Sequence, residues 1–208
     1  MTEDPRTTEP DSEPDATELV TEPVTEPDTG PDTEPDTEPD TEPGRDPAVS
    51  VVGPDDGETL VLGTTRMRVL EDGTHTGHRL GMAESVLAPH TPGPPQHRHA
   101  RHDEGFYVIS GTVRFTVADE DHDATAGTLV MVPPGAPHTF ANVTDEPAVM
   151  LSTFTPDLYV QYFRDLRDLY ADGRHPTPQD GVRTMSRYAT EPAADFTDFA
   201  GFARGTGS

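Results

Sequence analysis

The chain has 208 residues and a formal net charge of −25, with 39 acidic residues against 14 basic residues, all of them arginine. This charge excludes a phosphate-binding surface for nucleic acid and attraction to an anionic membrane, and no apolar run approaches the ~20 residues that cross a bilayer. Cysteine is absent, which excludes disulfides, thiolate metal sites and cysteine nucleophiles.

Residues 1–47 differ in composition from the rest of the chain. A four-residue Thr-Glu-Pro-Asp-like unit repeats six times between Thr21 and Gly44, and residues 1–47 contain 17 acidic residues and 2 arginines. Proline at every fourth position blocks helix and sheet pairing, and the few apolar residues cannot offset the entropy of ordering. We therefore expect a disordered acidic tail, and because this N-terminus does not resemble a secretory signal, a cytoplasmic protein.

From Ala48 to Pro156 the pattern predicts a β domain. Short runs rich in Val, Leu, Thr and Phe alternate with turn residues such as Pro133-Pro134-Gly135. Many short strands at this spacing are typical of an antiparallel sandwich or barrel. The predicted strands are Ala48–Val52, Thr59–Leu62, Thr65–Leu70, Arg79–Leu87, Gly105–Ser110, Thr112–Val117, Thr128–Val132, His138–Val143 and Ala148–Phe154.

Four side chains in this domain predict a transition-metal site. His97 and His99 are two residues apart, so an extended strand places both imidazoles on one face. Glu104 begins the next strand, and His138 follows a proline-glycine turn that fixes where its strand starts. Three imidazoles and one carboxylate suit a borderline divalent metal.

The two-residue period of side chains in a strand predicts further residues of this site. Phe106 and Val108 share the face of Glu104, and Phe140 and Asn142 share the face of His138. We expect these side chains to point into the barrel as pocket residues, with plain core packing as the alternative for each of them. Tyr107 and Ile109 should face the opposite way, and His102 and Asp103 should be solvated loop residues.

Two helices are predicted in residues 157–190. Thr155-Pro156 is a helix start signal, and Thr177-Pro178-Gln179-Asp180 is a second one. An apolar stripe from Leu158 to Tyr170 predicts that the first helix covers the barrel or a partner subunit. Residues 191–208 are expected to be a loose tail. Because this stripe and the barrel edges need covering, a homodimer is expected.

The two histidine-containing segments together resemble the two signature motifs of the cupin family. His97, His99, Glu104 and Gly111 fit the first motif, G-x5-H-x-H-x3,4-E-x6-G, except that Thr91 replaces its first glycine. The second motif, G-x5-P-x-G-x2-H-x3-N, is matched throughout by Gly127, Pro133, Gly135, His138 and Asn142. The resemblance implies a double-stranded β-helix of jelly-roll type. It also implies one divalent metal, iron, manganese, nickel, cobalt, copper or zinc, held by the three histidines and Glu104.

A single barrel with a helical C-terminal segment is similar to the small cupins related to quercetin 2,3-dioxygenase. That resemblance implies oxygen-dependent cleavage of an aromatic or enol-type small molecule, with dioxygen as the second substrate. Glu104 would ligate the metal and take the substrate proton. Two alternatives stay open, because fold does not determine chemistry: a non-redox metal-dependent isomerase or lyase, and a non-catalytic small-molecule binding or sensor protein.

Overall fold

The computed structural model describes residues 48–171 and 177–193. The acidic repeat and most of the C-terminal segment expected to be loose lie outside the described residues. Within them, two helices follow ten strands, and an eleventh strand comes last. The strands are β1 (Glu58–Leu62), β2 (Thr65–Asp72), β3 (Gly81–Leu87), β4 (His97–His99), β5 (Asp103–Ser110), β6 (Thr112–Val117), β7 (Glu120–Thr125), β8 (Leu129–Val132), β9 (His138–Ala141), β10 (Ala148–Thr155) and β11 (Thr190–Pro192), and the helices are α1 (Leu158–Leu169) and α2 (Pro178–Ser186).

The strands form two antiparallel sheets. The first has the order β1-β2-β3-β10-β5-β8, and the second has the order β11-β4-β9-β6-β7. Along the chain, β3 to β6 alternate between the sheets, β6 and β7 form a hairpin within the second sheet, and β7 to β10 alternate again, as in a double-stranded β-helix. The predicted fold class, a mainly β barrel of jelly-roll type with C-terminal helices, is confirmed.

The alternation of buried and less buried side chains along the strands shows which strand faces line the barrel interior. In β3 and in β10 every second residue is buried, which is the pattern of a strand with one face in a core. β10 lies between β3 and β5, and its Phe154 is paired with Glu104 of β5. Its Met150 is paired with Ser85 of β3 and with Val108 of β5. The inward residues of three strands therefore face one interior.

The predicted strands differ from the structure in one segment that forms no strand and in three strands that were not predicted, β4, β7 and β11. Residues 48–52 form no strand, and Val49 is 92% exposed, because nothing pairs with this segment. β7 was not predicted, since only Ala124 of its Glu-Asp-His-Asp-Ala-Thr sequence is buried, and its position at a sheet edge removes the apolar alternation. β11 was not predicted either. It begins within one residue of the segment expected to be loose, and it pairs with β4.

The helix predictions are correct except at the first boundary. α2 begins where expected: Thr177 caps it, and the side chain of Asp180 accepts from the backbone of Thr177 in a reciprocal capping box. The prediction that Thr155-Pro156 starts α1 is wrong, because Thr155 continues β10 and is paired with Asp103. α1 starts after Asp157, which has no side-chain capping bond; its carboxylate contacts the His78 ring instead.

Two apolar clusters stabilise the domain. The first joins β1, β2 and β3 to the helices, and it confirms that the α1 stripe covers the barrel. The second fills the barrel between β5, β6 and β10. Arg164 adds polar contacts to the α1 interface, because its guanidinium bridges Glu58 at 2.7 Å and Asp72 at 2.8 Å.

The outer face of β5 and β8 is apolar. Tyr107 and Ile109 face outwards as predicted, with 45% and 46% of their surfaces exposed, and Leu129 and Met131 lie beside them at 58% and 57%. The expected homodimer stays a prediction. No helix among the described residues is long and apolar enough to span a membrane.

Truncation of Leu166 to alanine should destabilise the domain by about 2–5 kcal/mol, because Leu166 is 1% exposed in the cluster beneath α1. Urea denaturation followed by circular dichroism measures this change. Gln161→Ala is the matched control: Gln161 is an exposed residue of the same helix, and its truncation should cost less than about 0.5 kcal/mol. Equal stability of both variants would mean that α1 does not dock on the barrel as described.

Candidate metal centre and its cavity

The second sheet places three imidazoles on one side. His97 and His99 alternate with Arg98 in β4, and both histidines are buried. β9 pairs antiparallel with β4, which puts His138 directly opposite His97. The turn before β9 is held to β4, because the amide of Gly135 donates to the carbonyl of His99 at 2.7 Å. Gly135 has a φ of 85°, a conformation that favours glycine.

The first sheet supplies the carboxylate. Glu104 is 3% exposed, and its Oε2 lies 2.8 Å from Nε2 of His99 and 2.9 Å from Nε2 of His138. Including His97, one ligand atom from each of the four residues lies within 4.8 Å of the others. The structure thus brings together all four residues predicted to hold a metal, as a buried candidate site.

Hydrogen bonds to the opposite ring nitrogens fix the tautomers. Nδ1–H of His97 donates to the carbonyl of Pro95 at 2.8 Å, and Nδ1–H of His138 donates to the carbonyl of Ala136 at 3.0 Å. Nδ1–H of His99 donates to Oγ1 of Thr190 at 2.8 Å, since that hydroxyl gives its own proton to the carbonyl of Tyr188. Nε2 of each ring is therefore directed at the shared site. There a neutral imidazole offers its Nε2 lone pair to a metal, whereas a protonated His99 or His138 donates Nε2–H to Glu104.

Electrostatics keep the site in a state that can bind a cation. Burial, together with the nearby His138 and His99, lowers the pKa of His97 to about 3. Burial opposes ionisation of Glu104, but hydrogen bonds from His138 and His99 hold its pKa well below the usual range. Burial also works to lower the pKa of His138, but the hydrogen bond and charge of Glu104 raise it.

The donor set fits a divalent transition metal. Two Nε2 lone pairs directed at one carboxylate oxygen would repel it, so a cation must lie among them. That cation is either a proton on an imidazole or a metal ion. Imidazole nitrogen and carboxylate oxygen are ligands that zinc and its neighbours accept at ~2.0–2.2 Å. The four residues would hold such an ion, and its identity is not fixed by them.

An apolar cavity lies beside these ligands, between the barrel and the helices. His97 and Glu104 belong to its lining, whereas His99 and His138 do not. A small molecule in the cavity would therefore approach the candidate metal centre over His97 and Glu104. The wall is mainly aromatic and aliphatic, and includes Phe106, Phe140, Phe154 and Tyr159.

The predicted pocket residues divide into two pairs. Phe106 and Phe140 line the cavity, but Val108 and Asn142 are not part of its lining. Val108 lies further along β5 in the barrel cluster. The Asn142 side chain faces the loops, where its amide donates to three backbone carbonyls, those of Leu87, Ala88 and Glu146. It organises the connections at that end of the barrel.

Thr91, where the motif has glycine, also serves this region. Its hydroxyl donates to the carbonyl of Ala88 at 2.7 Å and accepts from the hydroxyl of Thr64 at 3.0 Å. Glycine is instead required at Gly93, because an added Cβ at that position would lie 1.4 Å from the carbonyl oxygen of Phe140.

Three residues near the candidate metal centre were not identified from the sequence. The expectation that His102 is solvated is wrong: its ring is 1% exposed, with its centroid 4.1 Å from that of His99 and 5.1 Å from that of Tyr159. Burial, with the charge of His99, lowers the pKa of His102 to about 4. Tyr159 and Thr190 come from the C-terminal segment. The buried Tyr159 ring lies 4.5 Å from His99, and only the spacing of Tyr159 from Tyr162 and Phe163 could have indicated it.

The barrel strands also match a known family. Residues 83–154 match the family model described as the cupin domain. This match supports the cupin family. A buried site of three histidines and one glutamate, as found here, agrees with the ligand set that the cupin motifs imply. No curated protein matches the sequence.

Several solved structures are similar to slightly more than half of this chain. A sugar phosphate isomerase of the cupin superfamily from Silicibacter pomeroyi is 23% identical over 51% of this chain and 75% of its own, with a TM-score of 0.46. The polyketide cyclase RemF from Streptomyces resistomycificus is 20% identical over 52% and 80%, with a TM-score of 0.47. A Cupin 2 conserved barrel domain protein from Salinispora arenicola is 23% identical over 57% and 98%, with a TM-score of 0.44.

Replacement of Thr190 by valine should weaken metal binding by about 10- to 100-fold, because Nδ1–H of His99 loses the acceptor that fixes its ring. Competition between the protein and a chelator for cobalt(II) measures the affinity. Thr190→Ser is the matched control, since it keeps the oxygen and should bind cobalt within a few-fold of wild type. Equal affinities of the valine and serine variants would remove Thr190 from the site.

Metal affinity should fall as the pH is lowered through the pKa of His138, because the metal displaces the proton shared between His138 and Glu104. Each displaced proton should weaken binding by about tenfold per pH unit below that pKa. Titration of cobalt(II) at several pH values, with proton release measured in weakly buffered solution, checks the sign. Affinity independent of pH between 8 and 5 would contradict the arrangement of ligands described here.

Proposed function

We propose that the protein is a metal-dependent dioxygenase acting on an aromatic or enol-type small molecule. The observation that carries this proposal is the position of the ligand set: His97 and Glu104 form part of the wall of an apolar, aromatic-rich cavity. A bound divalent metal would supply Lewis-acid stabilisation for a deprotonated substrate oxygen and a place for dioxygen beside it.

Residues of the cavity wall would bind the ring of the substrate and accept its proton. Phe106 and Phe140 pack against each other with centroids 5.7 Å apart and ring planes tilted by 54°, and Phe106 also lies next to His138. The two rings offer an apolar, aromatic surface to a substrate ring. Tyr159 of α1 also belongs to the cavity wall. Glu104 belongs to the cavity lining, so its carboxylate is placed to accept the proton of a substrate hydroxyl as that oxygen binds.

The chemistry of the wall separates substrate classes. No arginine belongs to the cavity lining, and the chain contains no lysine. A phosphate or other anion would therefore find no cationic side chain among the described residues of this wall, and only the metal itself could bind it. The cavity fits a neutral, largely apolar molecule, which supports a dioxygenase substrate over a sugar phosphate.

The test is oxygen uptake by metal-loaded protein supplied with flavonols and enediol-like compounds, followed with an oxygen electrode and by loss of substrate absorbance. Uptake equal to substrate loss is expected. His138→Ala is the control variant, and it should lose bound metal and at least about 100-fold in rate, since one of four ligands is removed.

Each of the other outcomes contradicts the proposal in a different way. Substrate conversion under nitrogen would indicate a non-redox isomerase or lyase. Tight binding without conversion in any atmosphere would indicate a binding or sensor protein.

A further inference from the structure

Two residues in the cavity wall carry hydroxyl groups that have no hydrogen-bond partner among the described residues. Ser85 of β3 is 0% exposed and Thr65 of β2 is 3% exposed. Both belong to the cavity lining. Within the described part of the chain, neither the Ser85 Oγ nor the Thr65 Oγ1 has a hydrogen-bond partner.

These hydroxyls lie together and away from the metal ligands. Ser85 is paired with Met67, two residues along β2 from Thr65, so the two residues are diagonal neighbours about 7–8 Å apart. On β10, the partner of Ser85 is Met150, and the partner of Glu104 is Phe154. Four residues of strand correspond to about 14 Å. The cavity therefore has metal ligands at one end and the two unpartnered hydroxyls at the other, with Ser152 of β10 between them.

A buried hydroxyl without a partner is unusual, because its desolvation is not compensated. The chain does satisfy comparable groups elsewhere. Thr91 is also 3% exposed, and its hydroxyl both donates to Ala88 and accepts from Thr64. Sites that bind a polar ligand atom keep such groups available, so the unpartnered pair indicates recognition rather than packing.

We propose that Thr65 and Ser85 form a second recognition point, which hydrogen-bonds a hydroxyl or carbonyl group at the end of the substrate remote from the metal ligands. The ligand group is neutral, because no arginine accompanies the two hydroxyls in the cavity wall. The substrate class is thus an apolar molecule with one oxygen group at the metal ligands and a second oxygen group at the hydroxyls of Thr65 and Ser85. This inference rests on the proposed function in one respect only, that the other end of the substrate binds at the metal ligands.

The first test needs no ligand. Thr65→Val and Ser85→Ala remove hydroxyls that have no partner, so the melting temperature of the full chain should stay the same or rise by up to about 4 °C. Thr91→Val is the matched control, and it should melt about 2–4 °C lower because it removes a satisfied buried hydroxyl. A fall in melting temperature for Thr65→Val and Ser85→Ala equal to that of Thr91→Val would show a structural role and overturn the proposal.

The second test compares two probes that differ by one remote hydroxyl, 3-hydroxyflavone and 3,4′-dihydroxyflavone. Binding to nickel(II)-loaded protein is measured without oxygen from flavone fluorescence. Wild type should bind the dihydroxy compound more tightly by about 3- to 10-fold. The double variant Thr65→Val, Ser85→Ala should lose this preference while keeping its affinity for 3-hydroxyflavone within about twofold.

The outcomes separate this inference from the proposed function. A preference that persists in the double variant, no preference in wild type, or no binding of either flavone would overturn the second recognition point. Loss of the preference in the double variant, together with no oxygen uptake by wild type, would sustain the recognition point and reject the dioxygenase.

Discussion

One carboxylate oxygen connects the two sheets at the candidate metal centre. Oε2 of Glu104, from the first sheet, lies within hydrogen-bond distance of Nε2 of His99 and of His138, both from the second. All three groups are almost completely buried. The close approach of these three groups is favourable only when a proton or a metal ion lies among them. Removal of one of the groups would leave a buried charge unpaired. The packing of the barrel and the binding of a cation are therefore coupled.

The C-terminal segment completes the centre as well as covering it. α1 places Tyr159 against the ring of His99, and the strand after α2 supplies Thr190, which accepts from the same imidazole. Met185 of α2 and Tyr162 of α1 also face the cavity. Barrel and helices thus share the residues around one histidine, so a change in helix docking is transmitted to ligand orientation.

Sequence patterns predicted the ligand residues because the signals are local. Two residues separate His97 from His99, and a proline-glycine turn precedes His138, so strand geometry alone places these imidazoles. Thr190 could not be found in this way, because it meets His99 only through the pairing of β11 with β4, 91 positions away. His102 was misjudged for the same reason: its ring is buried beside Tyr159, which is distant in sequence, although the neighbouring Arg101 and Asp103 are exposed.

The pocket predictions show where the two-residue period stops being informative. Phe106 and Val108 share a face of β5, yet only Phe106 reaches the cavity, since the period gives the face of a strand and not the depth along the barrel. Thr65 and Ser85 carried no signal, because hydroxyl residues are common in strands. Their significance depends on burial without a partner.

The cavity lies where two apolar clusters meet, and this position explains its character. Phe154 and Tyr159 belong to the cluster under the helices, whereas Phe106 and Met150 belong to the barrel cluster. Each cluster is packed within itself, and the wall between them remains apolar although the chain carries a net charge of −25. The polar groups that do face the cavity are consequently few. In such surroundings a hydrogen bond or a metal contact counts for more than it would in water, so the selectivity of the cavity would be concentrated in His97, Glu104, Thr65 and Ser85.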